Sequence, residues 1–177
     1  MMKSGKYIFI DFTDFSRQLI VVCLIFRFKI LNQMLKKHCD SSSKTQVQVF
    51  NQDFLKLNPE DYQDVEYIIA DPTCSGSGTN NVKSTDLAKL SNLQCMIVKH
   101  ALKFPAVKKV VYSTCSINVE ENENVVEEVL KTMPDFQLVK ALESWQRRGL
   151  NGLEECIRVD PEIDLCTGFF VAVFERK

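Results

Sequence analysis

The chain has 177 residues, 45% hydrophobic and 25% charged, with a net charge of −1 and a pI near 6.1. This length suits one domain with a substantial core, and the charge balance offers no global attraction for nucleic acid. Seven cysteines in irregular spacing, with no C-x₂-C pair, suggest neither a zinc site nor a disulfide framework. Free thiols then imply a reducing compartment.

Leu19 to Phe26 is the greasiest stretch, but eight apolar residues between Arg17 and Arg27 fall far short of a membrane span. Asp11 and Asp14 upstream of it do not suit a secretory signal, so the stretch reads as a buried strand or helix segment. From Arg27 to His38, Phe28, Ile30, Leu31, Met34 and Leu35 have helical spacing, and Cys39 to Lys44 is loop-like. Residues 46–50 alternate as a strand that stops before Asp53. The run 65–70 reads as a buried strand leading into the Gly/Ser loop at 74–81.

Leu87, Leu90, Leu93, Ile97, Ala101 and Phe104 mark one face of a helix over 86–104. A strand at 108–112 follows. Asn118 and Glu121 then have the spacing of a capping box, with Glu120, Glu121 and Glu123 at the positive end of a helix that runs to about Lys131 before Pro134. Strands at 136–139 and 168–175 close the chain, the last suited to a hairpin. Strands alternating with helices predict a three-layer α/β fold with a mainly parallel sheet. The pairs Lys36-Lys37, Lys108-Lys109 and Arg147-Arg148 read as solvated surface, as do His38 and His100 on their helices.

Ligands collect at the carboxyl ends of the strands in such sheets. Two cysteines sit there: Cys74 in Asp71-Pro72-Thr73-Cys74-Ser75-Gly76-Ser77-Gly78, and Cys115 in Ser113-Thr114-Cys115-Ser116. Cys115 at a helix entry is placed for a lowered pKa; a buried structural cysteine is the alternative. Asp53 and Asp71 each follow a strand, where they can accept hydrogen bonds from a ligand or cap a turn.

The sequences DPTCSGSG and YSTCSINVEENENVV, in this order, resemble two motifs of the Sun-domain family of RNA cytosine-5 methyltransferases, and the tail GFFVAVFER resembles the family's last sheet motif. The similarity covers about Arg27 to Lys177, and FQLVKALESW with CIRVDPEIDLCTGFFVAVFER most resembles the branch acting on large-subunit ribosomal RNA. The resemblance implies a Rossmann-like S-adenosylmethionine-dependent methyltransferase fold, an RNA substrate, no metal and no membrane, and a nuclear or nucleolar setting. It implies Cys115 as nucleophile, Cys74 as the group assisting product release, Asp53 at the adenine end of S-adenosylmethionine, and Asp71 between methyl donor and target base. Carbon methylation fits better than modification of an exocyclic nitrogen, whose enzymes carry an aromatic residue where Cys74 stands.

The family's glycine-rich cofactor loop and its lysine have no counterpart, and Val22 and Leu24 stand where an acid gripping the ribose is expected. Residues 1–26 read as an atypical segment, and 27–177 as the C-terminal part of an N-terminally truncated catalytic domain that binds the cofactor weakly alone. The rival expectation is a catalytically incompetent remnant that binds RNA or protein. A cysteine hydrolase is disfavoured, since neither histidine is spaced to serve Cys115 as a base.

Overall fold

A computed structural model of the chain describes residues 6–9, 18–22, 47–79 and 86–177. The predicted helix at 27–38, the loop at 39–44 and the boundary at 26/27 lie outside them. The described strands are β1 (Lys6–Phe9), β2 (Gln18–Val22), β3 (Val47–Asn51), β4 (Tyr67–Pro72), β5 (Lys109–Thr114), β6 (Phe136–Val139), β7 (Ile157–Val159) and β8 (Phe169–Arg176). The helices are α1 (Leu87–Ala101) and α2 (Glu123–Thr132). All eight strands join one sheet in the order β3-β2-β1-β4-β5-β8-β6, with β7 also on β8.

The strands read at 46–50, 65–70, 108–112, 136–139 and 168–175 fall within two residues of those formed, and Leu19 to Val22 belong to a strand. β7 escaped notice because three residues are too few to display a period. The α/β class holds, but pairing is mixed rather than mainly parallel: among the described residues only β2/β3 and β4/β5 pair in parallel. The cause is two reversed strands. β1 runs against both β2 and β4, and β8 runs against β5, β6 and β7. Every other strand points the same way, so the carboxyl ends of β3, β4 and β5 share one edge.

The core explains the strand assignments. Ile68 and Ala70 on β4, Val110 and Tyr112 on β5, and Phe170, Ala172 and Phe174 on β8 are buried at every second residue, the period of a pleated strand. In register, Tyr112 faces Ala172 and Val110 faces Phe174, so large residues pair with smaller ones. Burying each large side chain contributes about 1.5–3 kcal/mol. α1 packs on β4, β5 and α2, and its buried face carries Gln94, Cys95, Ile97, Val98 and Ala101.

His100 is not solvated. Its Nε2 lies 3.0 Å from the Leu57 carbonyl oxygen, and its ring meets the edge of Phe54 at 4.9 Å. Burial accordingly holds its pKa below the usual histidine value. Arg147 and Arg148 are also engaged: Arg147 pairs with Asp164 at 2.9 Å, and Arg148 donates to the carbonyls of Ala141, Leu142 and Glu143. Lys108 and Lys109 form exposed pairs with Glu66 and Glu175, which add little stability.

Candidate active site

The functional edge is built from two loops of similar design. After β4 the chain turns through Thr73–Thr79; Gly76 has φ 71°, a left-handed conformation natural to glycine, and its carbonyl accepts from Thr79 N at 2.9 Å. After β5 it turns through Cys115–Asn118. The loops are tied at the backbone, where Gly78 N donates to the Cys115 carbonyl at 3.0 Å. Gly168 N then donates to the Gly78 carbonyl at 2.7 Å. A Cβ on Gly78 would lie 2.4 Å from the Gly168 carbonyl oxygen, so the loop entering β8 packs here only against glycine.

This stapling brings the two cysteines together, with Cys74 Sγ 3.1 Å from Cys115 Sγ. Both thiols are half-buried and free. The hydrogen bond from Cys74 lowers the Cys115 pKa to about 7, against burial and the Asp71 carboxylate, which raise it. Cys74 moves the opposite way, pushed up by its bond to Cys115 and then by burial. Cys115 is therefore the sulfur of the pair favoured as thiolate. Acidity comes from the partner thiol rather than from a helix terminus, because α2 starts only at Glu123.

Asp71 belongs to this group. It lies at the end of β4 and accepts from Ser113 Oγ on β5 at 3.2 Å. Asp53 stands apart, past the end of β3, where its carboxylate accepts from Leu55 N at 3.1 Å and caps the short 3₁₀ turn 54–56. Strands β2 and β1 lie between β3 and β4, a separation of about 14 Å at ordinary strand spacing. A cleft of 530 Å³ opens beside the cysteine loops, lined by Ser77, Gly78, Ile117, Arg158 and Asp160 among others. Neither cysteine forms its wall.

Sequence reading missed the support beneath the thiols. The capping box does not form, since Asn118 makes no side-chain cap bond and the residues after it form a 3₁₀ turn, 119–121. Glu121 turns inward, fully buried, and accepts from Ser75 N (2.9 Å), Ser75 Oγ (2.6 Å), Ser116 Oγ (2.6 Å), Gln94 Nε2 (3.0 Å) and Asn118 Nδ2 (3.3 Å). Burial pushes its pKa up, but the bonds from Ser116, Ser75 and Gln94 outweigh that and hold it below the usual glutamate value. Asn122, also buried, accepts from Thr114 Oγ1 and donates to the Ser116 carbonyl. Two signals were available: each cysteine is followed by serine, and Glu121 has no basic residue three or four positions away.

The pair's titration gives a direct expectation. The thiolate is the reactive form, and its population rises with pH. Alkylation of Cys115 by iodoacetamide should rise about tenfold per pH unit in acid and level off above about 7. Cys74 should stay slow throughout. The midpoint belongs to the coupled pair, and peptide mass spectrometry after timed labelling measures both sites.

A Rossmann-like sheet with two adjoining thiols and a carboxylate at its carboxyl edge defines the class, a methyltransferase fold with a dithiol centre. Residues 28–175 match the family described as 16S rRNA methyltransferase RsmB/F, and the chain belongs to that family. It is 44% identical over 160 residues to a 26S rRNA (cytosine-C(5))-methyltransferase, nsun-5, of Caenorhabditis elegans, covering 80% of this chain and 36% of that protein. A 28S rRNA (cytosine-C(5))-methyltransferase of Mus musculus is 43% identical over 140 residues, covering 70% and 30%. The chain thus spans about a third of the length of these relatives. A solved methyltransferase homologue from Pyrococcus horikoshii shares the fold with a TM-score of 0.72 at 24% identity, over 86% of this chain and 50% of that one.

Members of this family use S-adenosylmethionine. The described residues offer two carboxylates along this edge, Asp53 past the end of β3 and Asp71 at the end of β4. Between them the sheet presents reversed β1, whose Lys6 pairs in register with Pro72. A strand in that direction brings its amino end to the edge, rather than a carboxyl end leading into a phosphate- or carboxylate-cradling glycine turn.

Proposed function

We propose that this chain carries the reaction centre of an RNA (cytosine-5)-methyltransferase acting on large-subunit ribosomal RNA, with a nuclear or nucleolar setting to match. The observation that carries the reading is the thiol pair, 3.1 Å apart, with Cys115 favoured as thiolate and Cys74 holding the proton. The names of the nematode and mouse relatives support the substrate class.

Cytosine C5 is too weak a nucleophile to accept a methyl group directly. Cys115 Sγ adds to C6, and the electron pair displaced from the C5–C6 double bond makes C5 enamine-like. S-adenosylmethionine, when bound, supplies an electrophilic methyl group to that carbon. A water then takes the C5 proton, the C5–H electron pair re-forms the C5–C6 double bond, and the S–C6 bond breaks with its electron pair returning to Cys115. Cys74, with its proton directed at the Cys115 sulfur, assists this breakdown. Asp71 faces the ring nitrogens as charge develops, and Asp53 holds the adenine end of the cofactor. The target base must be unstacked to reach the pair.

The test is methyl transfer from labelled S-adenosylmethionine to large-subunit ribosomal RNA. We expect 5-methylcytosine as the product, reduced by about 10³-fold or more in Cys115→Ala. Equal incorporation by both proteins overturns the mechanism. The reversed β1 favours a second reading, a remnant that binds RNA without methylating it; RNA binding by wild type with no incorporation selects that reading.

A further inference from the structure

We propose that Glu121 is the positioning residue of the thiol pair, a buried carboxylate that clamps the two cysteine loops through the serine following each cysteine. The proposal rests on the reading above for its purpose, but its geometry stands apart from any substrate. Glu121 Oε1 accepts from Ser75 N and Gln94 Nε2, while Oε2 accepts from Ser75 Oγ, Ser116 Oγ and Asn118 Nδ2.

No cation among the described residues takes part in this arrangement. A buried carboxylate without one is costly unless hydrogen bonds replace its hydration. Helix capping or α2 stability alone would need none of these partners, since Glu121 precedes the helix and reaches across to the β4 loop. Its main-chain carbonyl is held as well, by the Tyr112 hydroxyl from the middle of β5. Together with the Gly78 N–Cys115 carbonyl bond and the Ser77 Oγ–Ser116 Oγ contact, Glu121 therefore sets how far Ser75 lies from Ser116, and with them how closely Cys74 approaches Cys115. Release of either serine lets the sulfurs separate, and Cys115 then loses the hydrogen bond that favours its thiolate.

The experiment labels the whole chain with iodoacetamide across pH, without RNA or cofactor, and follows Cys115 and Cys74 by peptide mass spectrometry. Ser116→Ala should move the Cys115 midpoint up by about one pH unit or more, toward an ordinary thiol, and Glu121→Gln by less, because removing the buried charge, which itself raises the Cys115 pKa, acts in the opposite direction. Both should lower its preference over Cys74 about tenfold. Val129→Ala, a cavity in the α2 face of the core, should lower the melting temperature without moving the midpoint, which separates positioning from general destabilisation. A folded Ser116→Ala protein with its midpoint unmoved overturns the proposal. If that variant does not fold, the same result in Ser75→Ala overturns it. Because no methyl transfer is involved, a failed methylation assay leaves this outcome independent.

Discussion

Cys74→Ala should leave the protein covalently attached to its RNA. Adduct formation needs only Cys115, an unstacked cytosine and the methyl donor, so removing Cys74 leaves the forward addition intact. In the proposed mechanism breakdown needs a second acid–base group beside the sulfur, and Cys74 at 3.1 Å is placed to serve. Positioned proton transfer contributes roughly 10²–10⁴-fold, so release should slow by about that factor while addition continues. A denaturing gel after incubation with ribosomal RNA and S-adenosylmethionine should show a retarded, RNase-sensitive band in Cys74→Ala. Wild type should show little of it, and Cys74→Ala/Cys115→Ala none. Persistence of the band in the double variant would mean that another residue forms the bond.

The largest effect on stability should come from Arg158→Met. Glu123 is fully buried at the start of α2, and Arg158 on β7 meets it with two bonds, Nε to Oε1 at 2.6 Å and Nη2 to Oε2 at 2.8 Å. Leu150 N donates a third at 3.0 Å. Burial pushes the Glu123 pKa up, but these bonds prevail and hold it below the usual glutamate value. Removing the guanidinium leaves a buried charge with backbone donors alone, a loss of about 3–5 kcal/mol. For a chain of this size that lowers the melting temperature by roughly 6–20 °C.

Glu123→Gln/Arg158→Met should recover much of the loss, since neither partner is then left charged. Because the carboxyl pKa is depressed, the pair's contribution is complete above the unfolded glutamate value of about 4.3 and falls away as acid protonates the folded carboxylate. Thermal melts between about pH 7 and pH 3 should therefore converge for wild type and the double variant. Arg158 also donates to the Ile117 carbonyl at 3.0 Å, so the single variant should loosen the loop after Cys115 as well.

Chemistry-bearing positions were legible where a strand announces its own end. Cys74, Cys115 and Asp71 follow apolar, β-branched and aromatic runs that end in turn residues, and a thiol at a strand terminus is exceptional enough to stand out from five other cysteines. Glu121 was misread, and the partner of Glu123 was missed although its place in the first turn of the helix was not, because an acid near a helix start has an adequate local explanation in capping and the helix dipole. Their actual partners are 46, 27 and 35 residues away, in Ser75, Gln94 and Arg158. Local spacing carries no record of such partners.

Strand direction shows the same division. Apolar runs and alternation located β3 to β6 and β8, and the two cysteine motifs carry the resemblance to the family. A strand's residues read the same whichever way it runs, so the reversal of β1 came only from tertiary pairing, while the antiparallel β6/β8 pairing agrees with the hairpin expected at the end of the chain. The same is true of the Cys74–Cys115 contact, which depends on a parallel β4/β5 ladder and a glycine-only crossing at Gly78. The order of residues decided which groups reach the edge of the sheet; folding decided which of them touch, because contact between distant segments is a property of the packed sheet and not of either segment alone.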